Sequence, residues 1–174
     1  DYSRAGQVAF VKELVTELQL DKFVMGGNSM GGGVTLQYAV THGADLLGII
    51  PVSSSGMPRD VVNASPPLAF RLAATPVVNQ LMLFITPRSL VEDGLKHSIE
   101  DDGLVTDAMV DRYFDMALHD GNRSATRARF QGYANRGVAD AALAEKIPTI
   151  ELPALILWGE NDPLIPVASA YAMK

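Results

Sequence analysis

A chain of 174 residues that is 48% hydrophobic can bury a core, and its length suits one domain. Its net charge of −6 argues against a nucleic-acid or anionic-membrane surface. With no cysteine, it can build neither a disulfide framework nor a thiolate metal site.

Asp1-Tyr2-Ser3 reads as a loop ending in a helix N-cap, with Gly6 where a capping-box glutamate would stand. Val8, Val11, Leu14, Val15 and Leu18 then recur at helical spacing and predict an amphipathic helix from about residue 5 to 19. After Leu20-Asp21-Lys22, Phe23 to Met25 reads as a strand. A helix follows Ser29 and runs to about His42, with Val34, Leu36, Tyr38, Ala39 and Val40 as apolar surface and Gly43 as its C′ stop. Leu46 to Val52 is nearly all apolar, as in a strand of a parallel sheet buried on both faces. Pro51 lacks a ladder donor and is expected at that strand's end or at a bulge.

Ser53 to Ile150 has a different character. Prolines at 66, 67, 76 and 87 break it into helical segments, expected at about 67–75, 77–85, 88–98, 106–119 and 124–137. Ordinary αβ connections are only a few residues long, so roughly a hundred residues here form an insertion. Phe70, Leu81, Met82, Leu83, Phe84, Met109, Tyr113 and Met116 give it apolar faces, for its own core or for a lid. Leu152 to Trp158 reads as the last strand, and a helix is expected from Pro166 onward.

The stretch Gly26-Gly27-Asn28-Ser29-Met30-Gly31-Gly32-Gly33 joins the first strand to its helix. A phosphate-binding loop would need Lys-Ser/Thr after Gly31, where Gly32 and Gly33 stand. No frame fits the dinucleotide fingerprint G-x-G-x-x-G. What remains is Gly27-x-Ser29-x-Gly31, a nucleophile elbow in which serine sits at a sharp strand-to-helix turn. Such a turn strains the serine backbone, so Gly27 and Gly31 are read as positions that must lack bulk, and Gly32 as a close helix–sheet contact.

Those residues, with Leu155-Ile156-Leu157-Trp158-Gly159-Glu160-Asn161-Asp162-Pro163-Leu164-Ile165-Pro166 after a helical insertion, resemble the α/β-hydrolase fold superfamily. The resemblance implies a partial α/β-hydrolase fold: core parts at 1–55 and 148–174, with an all-helical cap inserted at 56–147. It implies that Ser29 is the nucleophile, the Met30 backbone N–H one oxyanion-hole donor, and Asp162 the acid of a Ser-His-Asp triad. Asp162 is favoured as the acid over a loop carboxylate capping the next turn, and Glu160 is a weaker candidate acid.

The sequence departs from the pattern at the base. Triad order in this fold is Ser, Asp/Glu, His. The missing element would need roughly 25 more residues at typical element lengths, and twelve follow Asp162. His42 and His119 read as helix C-terminal residues and His97 as a surface partner of Asp93. The opening strands and the second oxyanion donor are also expected elsewhere. The chain therefore resembles an internal fragment, expected to be inactive alone.

Serine at position 29 argues against relatives that use aspartate there, the haloalkane dehalogenases and epoxide hydrolases. The expected chemistry is hydrolysis of an ester or related acyl group, or of a carbon–carbon bond in a ring-opened aromatic diketo acid, on a small apolar or aromatic substrate. Arg123, Arg127, Arg129 and Arg136 are expected to face Asp101, Asp102, Asp107, Asp111 and Asp115, or to meet an anionic substrate. The competing reading is a non-catalytic α/β-hydrolase-like binding module. No metal or organic cofactor is expected, since no cluster has ligand spacing. No apolar run reaches membrane-span length and no signal-peptide pattern opens the chain, so a cytoplasmic location is expected. Asp at position 1 leaves room for an upstream segment.

Overall fold

The computed structural model describes residues 2–58, 75, 80, 84–131 and 136–174. It divides into two compact units, Asp1–Ala64 with Asn135–Lys174, and Ser65–Ala134.

In the first unit, α1 (Arg4–Glu17) starts at Ser3, whose hydroxyl accepts from the Gly6 N–H at 3.0 Å, and stops before Gln19, held at φ 53°. Its packed stripe is narrower than the apolar spacing predicts. Val8 and Val15 are buried and Val11 packs against the core, while Leu14 and Leu18 stay exposed. Strand β1 (Phe23–Asn28) runs three residues further than expected, because Gly26, Gly27 and Asn28 pair with Ile50, Pro51 and Val52 of β2 (Leu46–Val52). The two strands are parallel. Between them α2 (Met30–His42) buries Val34, Leu36, Tyr38 and Ala39 as expected. Gly43 is not a left-handed stop: its φ of −56° carries the chain into a 3₁₀ turn, Gly43–Asp45.

A third segment lies beside β2 where the strand Leu152–Trp158 is expected, but it touches β2 through two separate parallel bridges, Ile49↔Ala154 and Val52↔Leu157. The reason is a pair of prolines. Pro153 and Pro51 have no N–H, so each drops out as a ladder donor, although both carbonyls accept, from Ile49 N–H (2.9 Å) and Leu157 N–H (3.1 Å). Pro51 is the next-to-last residue of β2, and the register irregularity lies instead at Phe23/Val24. Gly48 lets Pro153 approach, since a Cβ there would stand 2.9 Å from the Pro153 oxygen.

The core lies on the α2 side of this sheet. Leu36, Tyr38, Leu46 and Ile49 meet Leu143 and Ile147 there, with Phe23 and Met25 packed against them. Leu143 belongs to α3 (Arg136–Ala144), a helix the periodicity does not predict; the expected helix 124–137 spans residues 132–135, which lie outside the described set. On the other face Val24 and Leu155 are 53% and 55% exposed. At the end of the chain α4 (Ala168–Ala172) is a single short helix.

Tyr38 is fully buried, and its hydroxyl donates to Asp45 Oδ2 at 2.7 Å. Lys12 Nζ reaches the same oxygen at 2.7 Å, so one carboxylate ties α1, α2 and the turn before β2 together. The Lys12 ammonium and then the Tyr38 hydroxyl hold the Asp45 carboxyl below the usual range. Burial first, and then the Asp45 hydrogen bond, raise the Tyr38 phenol.

The second unit contains α5 (Arg88–Ser98), α6 (Asp107–Leu118) and α7 (Asn122–Gln131). The expected helices 67–75 and 77–85, with Phe70, Leu81, Met82 and Leu83, fall largely or wholly outside the described residues. Of the other expected apolar residues, Phe84, Tyr113 and Met116 are exposed and Met109 is half-buried, while the neighbouring Val110, not among those expected, is buried. Arg88 pairs with Asp111 (2.7 Å), Asp107 (2.9 Å) and Glu92 (3.5 Å), so two of the acidic residues expected to face the arginine cluster take a different cation. Arg123 donates instead to the Phe84 carbonyl at 3.1 Å.

Two outcomes are expected. Asp45→Asn should cost about 2 kcal/mol at pH 7, the worth of one charge-assisted hydrogen bond. A depressed carboxyl stabilises above its unfolded pKa of about 3.9 and ceases to as pH falls through its folded value. The difference from the parent in urea titrations should therefore close below about pH 4. For the elbow glycines, a Cβ at Gly27 would collide with the Gly31 carbonyl and stand 2.8 Å from Gly32 N, whereas one at Gly31 meets nothing within 4 Å. Gly27→Ala should cost about 3 kcal/mol or more, and Gly31→Ala should be neutral or stabilising by about 0.5 kcal/mol. Equal losses in urea would contradict this.

Candidate active site

Ser29 occupies the turn between β1 and α2 with φ 54° and ψ −115°, a region that L-residues avoid. Three backbone hydrogen bonds hold it there. Its N–H donates to Val52 O (2.9 Å), and its carbonyl accepts from Ser55 N–H (2.9 Å) and Gly33 N–H (3.3 Å). Serine at a helix N-cap normally turns its hydroxyl back onto the first helical amides. Ser29 stands at that position with no side-chain capping bond. Strain that keeps a hydroxyl out of its ordinary local bond is a mark of a functional position.

The glycines around Ser29 divide by what they touch. Gly27 is bare because the Gly31 backbone crosses over it, and Gly32 because Ser54 lies under it, with Ser54 Cα 2.9 Å from any Cβ. The expectation that Gly31 must itself lack bulk is corrected: its backbone is the close neighbour, and its own Cβ direction is open.

Met30 is the first residue of α2, and its thioether lies 3.9 Å from Gln7 Nε2. Its amide end therefore points to the elbow turn, where the helix dipole favours negative charge.

Asp162 follows the third sheet segment. Its Oδ1 accepts from the amides of Leu164 (2.8 Å) and Ile165 (2.9 Å), and its own N–H donates to Gly159 O at 3.3 Å. Trp158 closes the same turn by donating from Nε1 to Ile165 O at 2.7 Å. The capping reading of this carboxylate is thus observed, and it orients the group. Glu160 is exposed in the same turn.

Register brings the two ends to one edge. Asn28 pairs with Val52 and Val52 bridges Leu157, so the three segments finish in one row, with Ser29 after one and the Asp162 turn after another. At the spacing of neighbouring strands the outer two are roughly 10 Å apart.

His42 does not join them. His42 is in the last turn of α2, about 18 Å along the helix from Met30 at 1.5 Å per residue. There it packs on the Tyr38 ring, centroids 4.9 Å apart, with Nδ1 2.7 Å from Thr41 Oγ1. His97 and His119 lie in the second unit, in the last turn of α5 and at the C-cap of α6. The expected pairing of His97 with Asp93 is not seen among the described residues, and the ion pairs along this helix are those of Glu92 with Arg88 and Lys96. Among the described residues no cluster of three His, Asp or Glu could hold a metal ion, and no helix is long and apolar enough to cross a membrane.

Sequence patterning does not reveal the supports of Ser29. Val52, Ser55 and Gly33 act through backbone groups, which any residue carries. The small-residue run Ser53-Ser54-Ser55-Gly56 is the one signal that could have pointed to them.

Comparison with known proteins agrees with this architecture. The family model described as alpha/beta hydrolase fold matches residues 1–174. An uncharacterized protein of Mycobacterium tuberculosis is 26% identical over 98% of this chain and 51% of its own length. The 2-hydroxy-6-oxo-6-(2'-aminophenyl)hexa-2,4-dienoic acid hydrolase of Metapseudomonas resinovorans is 24% identical over 98% of this chain and 54% of its own. Among solved structures, a variant of the meta-cleavage product hydrolase from Pseudomonas fluorescens IP01 superposes with a TM-score of 0.81 at 18% identity, covering 99% of this chain and 59% of that one. The chain spans about half the length of the curated relatives it matches. With the elbow, the parallel sheet and the full-length family match together, this chain belongs to the α/β-hydrolase fold family.

Proposed function

We propose that the protein is a serine hydrolase in which Ser29 is the nucleophile and Asp162 the triad acid. The observation that carries this reading is the Ser29 backbone, held at positive φ with its hydroxyl released from capping. A serine hydroxyl needs an adjacent imidazole base, itself oriented by a carboxylate. Asp162 suits the second role. Both its amide contacts fall on Oδ1, so Oδ2 is the oxygen that would accept from an imidazole N–H. His42 does not supply this base, since it stands at the far end of α2 from Ser29.

The reaction follows from those roles. Imidazole removes the Ser29 proton as Oγ attacks a carbonyl carbon, and the tetrahedral oxyanion meets the Met30 N–H at the start of α2. The imidazolium then protonates the leaving group, an alkoxide or, in the carbon–carbon case, a carbanion. Water repeats the sequence and frees Ser29.

Two substrate classes fit: simple esters, and vinylogous diketo acids from ring-opened aromatics. The name of the Metapseudomonas resinovorans relative favours the second. The substrate is small and apolar or aromatic, and residues 56–147 are the family's cap insertion.

Turnover of a vinylogous diketo acid and of p-nitrophenyl esters by the full-length protein tests this. Ser29→Ala should abolish turnover. Asp162→Asn keeps an oxygen for the Leu164 and Ile165 amides, so it should fold normally and lose about 10⁴-fold in kcat. A full-length protein that turns over neither class, or an Asp162→Asn variant with parental kcat, would refute the assignment.

A further inference from the structure

The first unit is made of two stretches, Asp1–Ala64 and Asn135–Lys174; its outgoing stem, 53–56, and its returning stem, α3, meet beside Leu36 of α2. On the outgoing stem Ser54 is fully buried beneath Gly32. Ser55 lies against Gly33 in the same way, its Oγ 2.5 Å from where a Cβ would stand. Gly56, at φ 128°, sits between the two stems: a Cβ there would be 3.3 Å from Leu36 of α2 and 3.2 Å from Leu143 of α3. The outgoing stem, the elbow helix and the returning stem thus meet within one residue of each other.

A buried ion pair closes this junction. Arg4 Nη2 pairs with Asp140 Oδ1, with side chains only 12% and 10% exposed, across 136 residues of sequence. Asp140 is on the returning stem, and Arg4 Nε lies 3.3 Å from the same Gly33 Cβ position that Ser55 borders. One guanidinium therefore touches α2 beside the outgoing stem while holding the returning one. Ser55 is also the residue whose N–H fixes the Ser29 carbonyl. Arg4 Nη1 and Ser55 Oγ are both buried without a hydrogen-bond partner. Such orphaned atoms cost stability, so an arrangement serving stability alone would not favour them.

We infer that Arg4 is a positioning residue. Held by Asp140, its guanidinium clamps both stems onto the elbow helix and keeps Ser55 where its amide fixes Ser29. The effect on Ser29 reactivity rests on the serine-hydrolase reading; the clamp does not. Lysine is a poor substitute, since its ammonium is a point charge without the flat fork that spans Gly33 and Asp140 together.

The test uses the full-length protein and two readouts: amide hydrogen exchange at Gly33, Ser55, Gly56 and Leu143, and the rate at which a small fluorophosphonate labels Ser29. In the unmodified protein the four amides should exchange at similar, slow rates. The double variant Arg4→Met/Asp140→Leu leaves no orphaned charge, so its urea midpoint should stay near the parent's. Its Ser55 amide should exchange at least about tenfold faster, and labelling should slow about ten- to a hundredfold, the scale of a small misplacement of a reacting group. Arg4→Lys should fall between. Labelling at the parental rate in the double variant would overturn the proposal, whatever the exchange shows. Should that variant not fold, the unmodified protein decides: Ser55 and Gly56 exchanging as fast as the exposed loop at Gly121, with Gly33 slow, also overturns it. Failure of the unmodified protein to label refutes the hydrolase reading, while the exchange measurements still judge the clamp.

Discussion

A positive φ at one serine is the constraint on which the first unit depends. Holding a non-glycine residue there costs of order 1–3 kcal/mol and persists only where the surroundings over-determine it. Here they do. The parallel register of β1 and β2 brings Val52 O to the Ser29 amide, and the loop leaving β2 brings the Ser55 amide to its carbonyl. For the helix to start so sharply, Gly27 must admit the Gly31 backbone and Gly32 must admit Ser54. Strand pairing, loop path and two bare Cα positions all converge on one residue.

The rest of the unit holds this arrangement rigid. The Asp45 carboxylate joins α1 and α2 through Lys12 and Tyr38 at the end of α2 away from the elbow, and Arg4 with Asp140 joins α1 and α3 near the elbow. The sheet tolerates Pro51 and Pro153 because both carbonyls still accept, which preserves the level strand ends even though the ladder is discontinuous. That levelness puts the Asp162 turn on the same edge as Ser29.

The elbow, α2, β2 and the Asp162 turn were legible because each is encoded locally: an apolar run, a glycine–serine pattern, a carboxylate two residues before amides it can cap. The same local logic failed where partners are distant. Gly31 looked like a spacing requirement, yet the crowding falls at Gly27, because the crossing of strand and helix decides which Cα is approached. Asp107 and Asp111 seemed to call for the arginines of α7, and they met Arg88, 19 and 23 residues before them. Leu14 and Leu18 fit the helical period but stay exposed, because of this stripe only Val8 and Val11 pack into the core cluster.

From residue order alone followed α1, β1, α2 and β2, the serine at a strand-to-helix turn and a candidate acid beyond a later apolar segment, since these depend on contacts within a few residues. Tertiary structure alone decided that Ser29 is strained and uncapped, that Asp162 Oδ1 is committed to two amides, and that Arg4 finds Asp140. Backbone hydrogen bonds carry no side-chain signature, and a pairing across 136 residues is created only when the chain closes on itself.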